Sequence, residues 1–471
     1  MKIKSAYFIG IKGVAMTALA VVLKERGVKV SGSDVTDIFQ TDEVLEKNKI
    51  EVLKGFSTEN VPKKTDLVVV TGAHGGMTNI EAKTAESYGF PVFMHGKALG
   101  MFMNEKDGIS VAGSHGKTTT SAMTAFILSK AKLDPSFAVG SAEIIGLGAG
   151  GHNGRGKIFV AEADEYVTCP KTDSTPRFYF QKPKIFVITN IDFDHPDVYP
   201  DVEAVKMIFV RYIENLSAES IIIAGIDNPS VQSVVKNLDR NVITYGFSPQ
   251  ADFRIYKVSS SNGTTFFNVI GRGIDLGEFM IRVPGKHNAL NALASGIAAN
   301  NVGVGWEMIK YNLKKFSGTK RRFEKIADID GISLYDDYAH HPTEIQTTLK
   351  GIREWFPEKK IYLLFQPHTY TRTKALFSDF AKSFSAVDTA IITDIYPSAR
   401  ETPDLSVDPK KLVLEINKFK NNSIHLKGKE TITEFLKENV KKGDIILTMG
   451  AGDICNWHSD IIQSLSAPRE A

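Results

Sequence analysis

Residues 111–120, VAGSHGKTTT, constrain the fold of this chain more than any other stretch. An apolar run containing Ile109 and Val111 leads into it, and a helix-like run over 121–131 follows. Between them stand Gly113, Gly116, Lys117 and Thr118, the composition of a strand, a small-residue loop and a helix start. Such a loop brings backbone N–H groups close to phosphate oxygens, and the helix N-terminus adds partial positive charge. Lys117 is placed to reach the β- and γ-phosphates, and the Thr118 hydroxyl to ligate Mg²⁺. A full Walker A loop has a further glycine where this chain has Val111, so an ordinary glycine-rich turn is the alternative.

A chain of 471 residues exceeds a single core and suggests about three domains. The net charge of +3 gives no electrostatic case for nucleic acid or a membrane surface. No apolar run reaches the ~18 residues of a membrane span, and the start MKIKSAYFIG lacks a signal-peptide pattern. Cys169 and Cys455 have no metal-ligand spacing, which fits reduced thiols in a cytoplasmic enzyme.

The first third opens as a Rossmann-like βαβ unit. A buried strand over 6–9 closes at Gly10, with Lys12 and Gly13 in the turn, a helix over 16–23 and a second strand ending at Asp34. The acidic residue there suits a ribose hydroxyl, and a ligand-free βα turn is the alternative. Strands over 66–70 and 88–94 and a helix over 97–104 follow, and the charged turn 104–108 reads as a linker.

Downstream of the phosphate loop, a strand runs into Glu162-Ala163-Asp164-Glu165. Another ends in Asn190-Ile191-Asp192-Phe193-Asp194-His195. Acidic groups at strand ends beyond a phosphate loop suit a divalent ion bridging phosphates. Residues 251–283 alternate β-branched and aromatic residues as a small antiparallel excursion. His287, Asn288 and Asn291 then share one face of a helix start, where amides suit an adenine edge. In the last third Lys320-Arg321-Arg322 could clamp phosphate, and four strands exit into polar clusters. These are Asp336-Asp337-Tyr338-Ala339-His340-His341, Gln366 to Arg372, Asp394-Ile395-Tyr396 and Gly450-Ala451-Gly452-Asp453, all expected along one edge of a doubly wound sheet.

Read together and in order, GSHGKTTT, EADEY, TNIDFDH, GKHNALNALA, FSGTKRRFE, DDYAHHPTEI, FQPHTYTRT and GAGDI resemble the Mur ligase family over nearly the whole chain. The likeness is greatest to the branch that joins L-alanine to UDP-N-acetylmuramate; EADEYVTCP also resembles the branch that attaches a recycled tripeptide. The resemblance implies an α/β protein of three domains. A Rossmann-like UDP-sugar domain spans 1–106, a P-loop ATPase domain 107–316 and a Rossmann-like amino-acid domain 317–471. It implies ATP, Mg²⁺, UDP-N-acetylmuramate and L-alanine, and a cytoplasmic monomer or homodimer.

By motif position, Gly113, Ser114, His115, Gly116, Lys117, Thr118 and Thr119 hold ATP, with Thr118, Glu162 and His195 around the metal. His287, Asn288 and Asn291 meet adenine, Asp337 the ribose, and Arg322 the phosphates. Gly10, Lys12, Gly13 and Asp34 serve the sugar nucleotide, and Tyr338, His340, His368 and Arg372 the amino acid. Lys117, Glu162, His195, Arg322 and His340 are the expected catalytic group, with His195 or His340 as the base for the incoming ammonium. Two stretches depart from the family pattern. GIKGVAM stands where GIGGxGM is usual, and TGAHGGMTNIEA replaces a serine-rich form.

Overall fold

A computed structural model describes residues 3–467 except 171, 237, 262, 398–400, 402, 403 and 405. Near-continuous apolar runs interrupted by Gly, Asp and Asn build three sheets, as strands buried on both faces require.

The first sheet holds β1 (Ser5–Ile9), β2 (Lys29–Asp34), β3 (Glu51–Lys54), β4 (Leu67–Val70) and β5 (Val92–Met94). Its order is β3-β2-β1-β4-β5, parallel throughout, so the direction of winding reverses between β1 and β4. Tyr7, Phe8, Ile9 and Val68–Val70 are fully enclosed. The strand expected over 88–94 starts only at Val92. Tyr88 and Gly89 instead close the helix Ile80–Ser87, whose turn is completed by Phe90 N–H donating to Ala85 O.

The second sheet comprises β6 (Asp107–Ala112), β7 (Ser136–Ile144), β8 (Gly148–His152) and β9 (Ile158–Glu162). After the small antiparallel pair β10 (Val167–Cys169) and β11 (Asp173–Pro176), it continues with β12 (Ile185–Ile188), β13 (Ile221–Gly225) and β14 (Asn241–Gly246). It ends with β15 (Phe253–Ser261), β16 (Thr264–Gly271) and β17 (Ile274–Ile281). Its order is β17-β16-β15-β14-β13-β12-β6-β9-β7-β8. The excursion expected over 251–283 is the β15–β17 edge of this sheet. Neighbouring β6 puts its carboxyl end beside those of β9 and β12, with both of which it pairs in parallel.

The third sheet holds β18 (Glu324–Ile329), β19 (Ile332–Asp337), β20 (Ile361–Phe365), β21 (Thr389–Ile392), β22 (Ser423–His425) and β23 (Ile445–Met449). Its order is β18-β19-β23-β20-β21-β22. Only the β18–β19 pair is antiparallel, so the polar exits of β19, β23, β20 and β21 share one edge.

The chain divides into two compact units. One comprises Met1–Val258, Phe266–Ile281 and Asn288–Thr319, and contains the first sheet and most of the second. The other comprises Ser259–Thr265, Arg282–His287 and Lys320–Ala471. Among the described residues, no helix is long and apolar enough to cross a membrane.

Candidate active site

In the first unit, β6 delivers the chain into the loop 113–116, and the helix Lys117–Lys130 leaves it. The loop is held from the side by the exit of β12. Ser114 N–H donates to Asn190 O (3.1 Å), and His115 N–H to Asn190 Oδ1 (2.8 Å). Ser114 Oγ accepts from Asp192 N–H (2.9 Å), and His115 Nε2 lies 3.1 Å from the Asp192 carboxylate. Gly116 caps the helix in the left-handed region (φ +83°), and a Cβ there would stand 2.6 Å from Asn291 Oδ1. Only glycine meets both conditions. Asn291 Nδ2 donates to Asn288 Oδ1 (3.0 Å), so the two amides expected to read adenine form one buried pair against the phosphate loop.

Lys117 Nζ donates to Gly113 O (2.6 Å) and to both oxygens of Glu165 (2.9 and 3.1 Å). Burial opposes its charge, but Glu165 and Asp164 outweigh burial and raise its pKa, so the ammonium stays charged. Glu165 is fixed in turn, its carbonyl accepting from Tyr199 Oη–H (2.6 Å). Asp164 accepts from Arg177 Nη1 (2.7 Å). Burial pushes the Asp164 carboxyl up, and the charges of Arg177, Lys117 and His195 more than offset this, holding it well below the ordinary range.

Asp164, Glu165 and His195 offer ligand atoms within 4.8 Å of one another, a set of hard oxygens plus imidazole suited to a divalent cation. His195 has φ +62° and packs its ring 4.6 Å from that of Tyr166. Of the residues expected around the metal, His195 therefore lies in this cluster. Thr118 is buried one residue into the helix, Thr119 is half-buried after it, and Glu162 ends β9 accepting from Gly140 N–H (2.5 Å). The sequence places Asp164 and Glu165 in an acidic exit suited to a divalent ion, but the motif position gives the metal role to Glu162. Their signal in the sequence is that place, two and three residues beyond Glu162.

At the end of β1, Gly10 N–H donates to Ser33 O (2.9 Å), and Gly13 caps the helix Val14–Glu25. Asp34 is already engaged. Its carboxylate accepts from Lys12 N–H (2.7 Å) and Val35 N–H (2.8 Å), with His74 Nε2 at 3.6 Å, and burial raises its pKa. The Lys12 ammonium turns away into a salt bridge with Asp42 (3.1 Å) and a bond to Asp37 O (2.8 Å).

In the second unit, Asp337 accepts from the N–H groups of Phe323 and Ala339 (2.8 Å each). Burial raises its pKa to about 6 against the opposing charge of Arg322. Arg322 lies over the Tyr338 ring and 3.9 Å from Glu344. His340 Nδ1 is 3.0 Å from Tyr338 O and 3.5 Å from Glu344. The rings of His340 and His368 are 5.9 Å apart, His368 stacks on Tyr396, and Arg372 Nη1 is 3.4 Å from His368 Nδ1. Tyr338, His340, His368 and Arg372 are thus one cluster, with Glu344 and Tyr396 as members unassigned from sequence. His287 is half-buried, and its enclosed Nδ1 has no hydrogen-bond partner among the described residues; desolvation and then Arg322 push its pKa down to about 4, so the imidazole is neutral. Arg321 is the buried anchor beneath the cluster. Its Nε donates to Asp336 (2.9 Å) and its Nη2 to Gly450 O, which ties β19 to the loop after β23.

Residues 5–107 match the Mur ligase family catalytic domain, 111–299 the Mur ligase middle domain, and 321–452 the Mur ligase glutamate ligase domain. The chain belongs to the Mur ligase family. It is 41% identical over 456 residues to the UDP-N-acetylmuramate–L-alanine ligase of Caldanaerobacter subterraneus subsp. tengcongensis, covering 96% of each chain. It is 38% identical to the enzyme of that name from Desulfitobacterium hafniense, covering 95% of this chain and 97% of the relative. The fold resembles the crystal structure of UDP-N-acetylmuramate-alanine ligase from Thermotoga maritima, with a TM-score of 0.82 at 24% identity over 98% of both chains. It also resembles the murein peptide ligase of Psychrobacter arcticus, with a TM-score of 0.73 at 23% identity over 99% of this chain and 100% of that one.

Proposed function

We propose that this chain is an ATP-dependent ligase that joins L-alanine to the carboxylate of UDP-N-acetylmuramate, a cytoplasmic step of peptidoglycan synthesis. The observation that carries the reading is a charged lysine, Lys117, at the head of a phosphate-loop helix, clamped by Glu165 beside a cluster of cation ligands. The domains run over 1–106 for the sugar nucleotide, 107–316 for ATP and 317–471 for the amino acid.

The muramate carboxylate attacks the γ-phosphate in line, giving an acyl phosphate and ADP. Lys117 stabilises the charge on the transferring group without needing to reorganise, because Glu165 and Gly113 O already hold it in place. The residues fit Mg²⁺, with Asp164, Glu165 and His195 as ligands, Glu162 two residues before Asp164 and Thr118 next to Lys117 in the chain. When bound, the ion neutralises charge on the β- and γ-phosphates. Asn288 and Asn291 serve adenine and Asp337 the ribose, while Arg322 meets phosphate. The cluster of Tyr338, His340, His368 and Arg372 receives the amino acid, and His340 or His195 takes the proton from its ammonium group. The free amine then displaces phosphate from the acyl carbon.

The test is phosphate release with ATP, Mg²⁺ and UDP-N-acetylmuramate, comparing L-alanine, glycine, L-serine and the recycled tripeptide, with mass detection of the product. An alanyl adduct absent from Lys117→Met supports the proposal. A tripeptide adduct in place of the alanyl one overturns it.

A further inference from the structure

The carboxyl ends of β1 and β4 flank the point where the first sheet reverses its winding, the place where such sheets hold ligands. Arg177, just after β11, stands at this edge within the same compact unit. A Cβ on Gly72, two residues beyond β4, would stand 3.3 Å from Arg177 Nη2 and 2.7 Å from Thr168 O. The Thr168 carbonyl requires glycine at residue 72, and the bare Cα leaves the guanidinium close to the β4 exit. On its other side Arg177 Nη1 donates to Asp164 (2.7 Å), and the guanidinium lies over the Tyr166 ring at 5.3 Å. Asp164 in turn acts electrostatically on Lys117. One arginine thus touches both the ligand edge of the first sheet and the acidic cluster beside the phosphate loop.

His95 belongs to the same place. Its Nε2 is 3.0 Å from Ala15 O, in the first turn of the helix that Gly13 caps. Burial, and then the charge of Arg177, push its pKa down to about 4, so the imidazole is neutral and the guanidinium supplies the positive charge there. The Gly10–Gly13 turn follows β1 on this edge, and Arg177 connects the edge through Asp164 to the surroundings of Lys117. A sugar nucleotide with its diphosphate at that turn carries its lactyl carboxylate on the sugar, on the side of the diphosphate away from the uridine. A guanidinium is the side chain whose fork matches a carboxylate.

We propose that Arg177 binds the lactyl carboxylate of the sugar nucleotide and holds it towards the phosphate loop, so that Arg177 is the residue that distinguishes a muramyl from a glucosaminyl nucleotide. The inference rests on the substrate reading given above. It is tested by calorimetric binding to the full-length protein, without ATP or Mg²⁺, using UDP-N-acetylmuramate and UDP-N-acetylglucosamine, which lacks the carboxylate. Arg177→Ala is expected to weaken the first by about 10- to 100-fold, the range of a hydrogen bond to a charged group, and to leave the second within about twofold. Arg177→Lys recovers part of the loss. An equal loss for both nucleotides would show that Arg177 only shapes the edge, and no loss for either would show that it does not touch substrate; each overturns the proposal. A native protein that binds both nucleotides equally well overturns the substrate reading itself, and this assignment with it.

Discussion

Replacing Lys117 by Met removes one partner of a pair whose side chains are 16% and 1% exposed. Two losses follow, and they separate. Glu165 keeps a buried charge with its nearest cation gone, which costs about 3–5 kcal/mol of local stability. The transferring phosphoryl group loses a preorganised cation, worth about 10²–10³ in turnover. Adding Glu165→Gln to Lys117→Met removes the orphaned charge while leaving the catalytic cation absent. Amide hydrogen exchange in the helix Lys117–Lys130 should therefore quicken by about 10²- to 10³-fold in the single variant and return most of the way in the double variant. Phosphate release should stay low in both. The reasoning is refuted if the double variant exchanges as fast as the single one, or if Lys117→Met retains near-native turnover.

Three further outcomes are expected. Glu81 is fully buried and accepts from Tyr7 Oη–H, Ser33 Oγ–H, Ser57 N–H and Asn60 Nδ2–H, so Glu81→Ala strands four donors and should cost about 3–5 kcal/mol in urea unfolding followed in the first sheet. Gly116→Ala forces a Cβ onto Asn291 at φ +83° and should abolish measurable ATP binding by calorimetry while the far-UV circular dichroism stays native. His152 lies 2.7 Å from Glu25; that bond raises the His152 pKa, while His152 and Asn153 N–H outweigh burial and lower that of Glu25. The contribution of the histidine is complete below its unfolded value near 6.5 and fades as pH rises through its raised folded value. That of Glu25 is complete above about 4.5 and fades as pH falls through its lowered one. The stability gap between native protein and His152→Ala should thus be widest between those values and narrow at alkaline pH in thermal melts; a gap independent of pH refutes the pairing.

The parallel cores were legible because strands buried on both faces read as unbroken apolar runs. Ile185–Ile188, Ile361–Phe365 and Ile445–Met449 stop within two residues of the polar exits at Asn190, Gln366 and Gly450 that the sequence marks. The β7–β8 pair was not legible. Its glycines carry no alternation, and the reason for them lies elsewhere: a Cβ on Gly151 would stand 1.9 Å from Ala18 O of the helix Val14–Glu25. The site follows the same division. Lys117 and Asn291 announce themselves by motif, since a local backbone pattern and its amides suffice. Asp34, Lys12 and Arg177 take their partners from across the fold, 22 residues from Lys12 to Asp34 and 13 from Asp164 to Arg177, so no local spacing reports them. Lys12 in particular reads as an anion contact beside the turn, whereas its ammonium is held by Asp42.

The central claim is that the acid is activated as an acyl phosphate by the loop that carries Lys117. The most direct measurement uses UDP-N-acetylmuramate labelled with ¹⁸O in its lactyl carboxylate, turned over with ATP, Mg²⁺ and L-alanine, with mass analysis of the released phosphate. Transfer of one labelled oxygen to inorganic phosphate, together with ADP, is the predicted result. Unlabelled phosphate, or AMP and pyrophosphate as products, would contradict it.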